Sequence, residues 1–149
     1  MGYIPEPIQR DVIRGEMTEV DYHMPSIGDV LFEACRGVER PQGTVVLAGT
    51  VVDQRGRIVP EATVRVSWTG YSAAGGGRLN ATNLDNLTAT TDGFEASTTQ
   101  TGFFRFCGVP TGTPLDIYAA LGDDESEQYE ITIPDYETGA LHVLEIVRR

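Results

Sequence analysis

Ala62-Thr-Val-Arg-Val-Ser-Trp68 alternates without a break: Ala62, Val64, Val66 and Trp68 share one face, and Thr63, Arg65 and Ser67 share the other. A period of two is the mark of a half-buried strand, because successive side chains leave opposite faces of the pleat. Burying the apolar face stabilises by roughly 1.5–3 kcal/mol per large side chain, so these residues belong to a core. Just upstream, Thr44-Val-Val-Leu-Ala-Gly-Thr-Val-Val-Asp53 is β-rich and apolar at several positions on both faces. Such a run predicts a central strand covered on both sides. Between the two lies Asp53-Gln-Arg-Gly56, a turn by its chemistry, with Asp opening and Gly closing it.

Downstream, short strands continue. Residues 70–90 hold Gly75-Gly-Gly77 and several Asn and Thr, and read as a loop with at most one weak edge strand. Residues 94–98 predict a strand, and Gln100-Thr-Gly102 turns into another over 103–107. Pro110-Thr-Gly112 turns into a strand over 115–121, with Leu115, Ile117 and Ala119 on one face. Residues 122–127 read as an acidic loop, Tyr129, Ile131 and Ile133 alternate up to Pro134, and residues 141–147 close the chain as a strand. About seven short strands separated by turns predict an all-β sandwich over residues 43–149.

Residues 1–42 read as an N-terminal arm and connector. Thr18-Glu-Val-Asp-Tyr-His-Met24 alternates, with Val20, Tyr22 and Met24 opposite Glu19, Asp21 and His23. Pro25 ends that strand, Ser26 is placed as an N-cap, and Ile27, Val30, Leu31 and Ala34 recur at helical spacing, predicting a short helix over 27–35. The arm has three readings: the last strand of a preceding sister domain, a strand of this domain's own sheet, or a strand given to a neighbour.

Bulk properties narrow the function. The 149 residues carry a formal net charge of −11, which disfavours nucleic acid because phosphate binding needs a basic face. No apolar run approaches the ~18 residues of a membrane span, so no membrane insertion is expected, and no signal peptide is visible at the start. All 11 basic residues are Arg. Without Lys, neither a Lys Schiff base nor a Lys–Asn isopeptide crosslink can form.

Gly49-Thr-Val-Val-Asp53, Gly56, Val59-Pro60 and the alternation of Ala62, Val64 and Val66 are followed by Thr101-Gly-Phe-Phe-Arg-Phe-Cys-Gly-Val-Pro-Thr-Gly112. Together and in this order they resemble the two hallmarks of a carboxypeptidase regulatory-like domain. The resemblance implies a seven-stranded, transthyretin-like Greek-key sandwich, used as a module of exported bacterial proteins or beside enzymes, in folding support, interaction or sugar binding. Glu61 stands where that family often has Gly, and the arm is additional.

An exported module, extracellular, on the cell surface or periplasmic, favours a disulfide between Cys35 and Cys107 over two buried thiols. No C-x-x-C is present for redox chemistry. His23 and His142 read as polar-face residues with no convergent third ligand. Intradiol dioxygenases share the sandwich type, and Val66-Ser-Trp68 with Tyr71 resembles their strand and loop, but their clustered His-x-His is missing. Tyr71 beside the Gly-rich loop, with Arg78, is the candidate ligand loop for a glycan. Asp123, Asp124 and Glu125 are weak candidates for Ca²⁺ through hard oxygen ligands, against the ordinary reading of a solvated loop. No cofactor is otherwise expected. The sequence therefore predicts a non-catalytic structural or interaction module whose partner is a neighbouring domain or another copy. Two alternatives stand: oligomers or filaments built by donating the arm strand with Val20, Tyr22 and Met24, and a carbohydrate-binding module.

Overall fold

The computed structural model describes Gly15, residues 27–73 and residues 87–147. These residues form one helix, α1 (Ile27–Ala34), and eight strands: β1 (Thr44–Asp53), β2 (Thr63–Ala73), β3 (Leu87–Ser97), β4 (Phe103–Pro110), β5 (Pro114–Leu121), β6 (Asp124–Glu125), β7 (Tyr129–Thr132) and β8 (Gly139–Ile146). They form two sheets. One has the order β4-β1-β8; the other has the order β3-β2-β5-β6, with β7 also on β5. Strand β1 is antiparallel to β4 and parallel to β8, and the β2, β5, β6 and β7 pairings are all antiparallel. The chain crosses between sheets after β1, β3, β4 and β7, so its inner faces close one all-β core.

Those faces follow the alternation. Val64 and Val66 of β2, Leu115, Ile117 and Ala119 of β5, Phe104 and Phe106 of β4, and Leu144 and Ile146 of β8 form the core with Val45, Leu47 and Val51 of β1. Trp68 continues the β2 phase but is only partly buried, at the margin of that core, where its ring meets Phe94 at 5.4 Å. Strand β1 is buried on both sides. Its other face, Val46 and Ala48, packs against Leu31 and Cys35 of the α1 segment. An eight-residue helix is too short to persist alone in water, so this contact holds it in place.

Among the described residues the strand count is eight rather than seven. The eighth is β6, inside the stretch read as an acidic loop. Leu121 and Asp124 pair across the two residues Gly122 and Asp123, and Gly122 takes φ 62°, the positive value a tight hairpin needs at its first central residue. Two residues are too few to show a period. The second departure is length. Strands β2 and β3 pair from Thr63↔Ser97 out to Ala73↔Leu87, well into the stretch read as a loop with at most one weak edge strand; β3 is at the edge of its sheet. Almost every residue of β3 is exposed, so it carries no apolar alternation to read.

The crossing from β1 to β2 is fixed by two buried polar side chains. Thr98 Oγ1 accepts from the Ala62 amide at 2.9 Å and donates to the Val59 carbonyl at 2.8 Å. Asp53 organises the preceding turn: its Oδ1 accepts from the amides of Arg55 and Arg57 at 2.9 and 3.0 Å. Its Oδ2 accepts from Arg57 Nε at 2.8 Å and Nη2 at 2.7 Å.

Candidate functional site

Cys35, just past the end of α1, is bonded to Cys107 of β4, with Cα atoms 5.9 Å apart and a separation of 72 in sequence. Cys107 lies on the outer face of its sheet beside Val46, so the bond pins the helix segment across that face. This is a structural feature, with both sulfurs committed, and no free cysteine exists among the described residues.

The strongest carboxylate perturbation is equally structural. The Arg57 guanidinium, with the Arg55 and Arg57 amides, holds the Asp53 carboxyl down to about 2 from its ordinary 3.8, against the opposing pull of desolvation. A carboxyl lowered on folding stabilises the fold at pH values above its unfolded value. That contribution disappears as pH falls from about 4 towards 2. Asp53→Asn is therefore expected to melt lower than the parent at neutral pH, with the gap closing on acidification to pH 2. Thermal melts of both proteins across that range check it.

The other residues singled out from sequence are scattered. Tyr71 is 61% exposed and lies in β2 rather than in a loop, paired with Ala89. Arg78 falls outside the described residues, as do Val20, Tyr22, Met24 and His23. Asp124 and Glu125 form β6 and Asp123 sits in its turn. Among the described residues, no group of three or more His, Cys, Asp or Glu side chains is placed to hold a metal ion, so the calcium reading gains no geometry. Arg65 donates to Glu95 and to the Tyr118 hydroxyl at 3.1 Å, a cross-strand network on the exposed face of the larger sheet.

His142 corrects the sequence reading. In β8 it shares the inward phase with Leu144 and Ile146, while the apolar Leu141 and Val143 are 55% and 60% exposed on the outer face. Its ring forms one wall of a cleft of about 380 Å³ between β7 and β8, lined also by Ile131, Ile133, Ala140 and Leu141. The ring meets Tyr129 edge-on at 5.3 Å. Its Nε2 is buried without a hydrogen-bond partner among the described residues, and burial pushes its pKa down. A polar residue in a strand's core phase was the available signal, hidden because both phases of β8 carry apolar residues. A second recess, of about 540 Å³, opens on the opposite side of the sandwich beside Ala34, Ala96 and Phe103. The rings of Phe94 and Phe106, on the facing strands β3 and β4, stack 6.2 Å apart.

No family model matches the chain, and no curated protein matches it. Among solved structures it is similar to the C-terminal domain of shaft pilin SpaA from Lactobacillus rhamnosus GG, at 11% identity and TM-score 0.46, over 71% of this chain and 98% of that one. It is also similar to catechol 1,2-dioxygenase from Acinetobacter sp., at 14% identity and TM-score 0.46, over 75% and 55% of the two chains. A third is 3-chlorocatechol 1,2-dioxygenase from Rhodococcus opacus, at 15% identity and TM-score 0.47, over 74% and 62%. The chain spans 46% of the longer shaft pilin structure.

A building protein and oxidative enzymes thus stand at the same level of likeness, and neither role follows for this chain. His142 lies in the β7–β8 cleft, whose lining does not include Tyr71.

Proposed function

We propose that this chain is a non-catalytic structural and interaction module of an exported bacterial protein, a transthyretin-like sandwich of the carboxypeptidase regulatory-like kind. The observation that carries the reading is the Cys35–Cys107 bond across the outer face of the β4-β1-β8 sheet. Disulfides persist in oxidising compartments and are rare where thiols are kept reduced, and this one serves rigidity rather than chemistry. The module would work by presenting a stiff body, a long exposed β2–β3 hairpin and open sheet edges to a protein partner.

Fractionating the native cells and trapping thiols during lysis tests this. The expected result is an oxidised chain on the surface, in the periplasm or in the medium. A cytoplasmic chain with two alkylated cysteines would remove the reading.

The family assignment draws support from Glu61. It is the non-glycine residue at positive φ, 59°, among the described residues, at the place where the family often has Gly. A side chain in that conformation costs roughly 1–2 kcal/mol, partly offset by the lower chain entropy of a non-glycine residue when unfolded. Glu61→Gly is expected to stabilise the protein by about 0.5–1 kcal/mol, the difference between those two effects. Chemical denaturation with unchanged slope would record it; a loss of stability would count against the family's Gly position here.

A further inference from the structure

The far edge of β8 and the cleft beneath it form one surface. On one side β8 is bonded to β1 along its whole length. On the other, residues 139–145 have no backbone partner among the described residues; only Ile146 bridges Ser126, and the Val147 amide donates to the Glu125 carbonyl at 3.4 Å. Strand β7, across the cleft, pairs only with β5 among the described strands. The two sheets therefore gape here, with Ile131, Ile133, Ala140 and His142 lining the gap. An open edge of this kind is a template for one more strand.

The path of α1 says where the preceding chain arrives. Cys35 is fixed to Cys107 on β4, at one edge of the sheet. One turn earlier, Leu31 lies against Gly139 on β8, at the other edge; a Cβ on Gly139 would meet Leu31 Cδ1 at 2.7 Å. The helix therefore crosses the strands from β8 to β4. Four residues further towards its start, at ~1.5 Å per residue, Ile27 lies about 6 Å beyond Leu31. The next strand of a sheet lies ~4.8 Å beyond β8, so the chain enters α1 at the open edge. The alternating residues 18–24 precede it by a connector of only Pro25 and Ser26.

We propose that residues 18–24 dock in cis on the open edge of β8, as a fourth strand of that sheet, antiparallel to β8, with Val20, Tyr22 and Met24 turned into the β7–β8 cleft. Direction follows from connectivity: the segment must finish near Gly139, where β8 begins, so it runs against β8. Register follows from chemistry. Setting Met24 opposite Ala140 places Tyr22 opposite His142 and Val20 opposite Leu144, so all three meet the inward residues of β8. Glu19, Asp21 and His23 then face solvent. A slip of one residue would reverse every one of these and bury two carboxylates. Pro25, lacking an amide hydrogen, ends the ladder. A two-residue connector gives the arm an effective concentration in the millimolar range, which favours its own β8 over that of a second copy. The inference goes beyond the structural-module reading and does not depend on it.

The test uses the full chain carrying Asp21→Cys and Val143→Cys, an opposed pair on the solvent face that leaves the core and the native Cys35–Cys107 bond untouched. Mild oxidation is expected to give a monomer in which the two introduced cysteines are linked, mapped by peptide mass with the native bond intact, and no such link in either single variant. A linked dimer would overturn docking in cis and assign the edge to a second copy's arm. No link at all would overturn occupation of the edge by this segment. Amide exchange provides a second measurement without new cysteines: the alternate amides of residues 140–145 that point away from β1 are expected to exchange at least tenfold more slowly in the full chain than in the full chain carrying Tyr22→Pro, which interrupts the arm's ladder. Equal exchange would overturn the proposal while leaving the exported, stapled module to its own test.

Discussion

Replacing both bridge residues, Cys35→Ser with Cys107→Ser, is expected to lower stability by about 4 kcal/mol. The figure follows from the loop the bond closes. Its 72-residue separation removes roughly that much chain entropy from the unfolded state in the loop-closure description. At about 2–4 °C per kcal/mol for a protein of this size, the melting temperature should fall by roughly 8–16 °C. The loss has a structural component as well. The α1 segment touches the sandwich through few side chains, chiefly Leu31 and Cys35 on Val46 and Ala48, and without the bond its hold reduces to that small patch. Calorimetry of the wild type with and without reductant, beside the double variant, checks this. Reduction and substitution should agree. If reduction leaves the melting temperature within a degree or two, the bond is ornamental, and the case for an exported, stapled module weakens with it.

The sandwich was legible because its inner strands carry a period. Val64 and Val66, and Leu115, Ile117 and Ala119, are buried in the phase their spacing predicts, and β1 is covered on both faces as its doubly apolar pattern requires. Legibility failed where burial is one-sided in an unhelpful way or absent. The last residues of strand β3, 94–97, were legible as a strand, but residues 87–93 are exposed throughout and held by their ladder with β2, so nothing in that Thr-rich stretch distinguishes it from loop. Strand β6 is too short to have a phase. In β8 the outward Leu141 and Val143 are as apolar as the inward Leu144 and Ile146, which left His142 assigned to the wrong face. The cleft was invisible for a deeper reason. It is the space between two strands that belong to different sheets, and no local pattern records which strands end up unpaired. The cysteine pairing was legible only through the expectation of export that the family resemblance supplied.

Gly49→Ala is the other substitution expected to be severe. Gly49 sits in the middle of β1, opposite Phe104 on one neighbour and His142 on the other. A Cβ there would run into the backbone carbonyl of His142 and meet Phe104 Cζ at 2.8 Å. The ring has little room to swing, because Phe104 is fully buried and packs on Phe106 at 5.8 Å. The carbonyl can yield only if β8 moves relative to β1. Overpacking typically costs about 1–3 kcal/mol, and an obstacle made of ladder backbone puts this case at the upper end, about 3 kcal/mol, or roughly 6–12 °C of melting temperature. Gly70→Ala is the matched control. Its Cβ would meet Thr90 Oγ1 at an ordinary 3.5 Å, so losing a glycine from a strand should leave stability unchanged or raised by up to about 1 kcal/mol. Adding Phe104→Leu to Gly49→Ala separates the two obstacles. If the ring dominates, the second change recovers most of the loss. If the carbonyl dominates, it recovers little, and amide exchange accelerates along β8. The second outcome is the expected one, since a strand cannot be shortened as a side chain can. It would make Gly49 the residue that lets β1 hold β8 in place, and so the residue on which the open edge and its cleft depend.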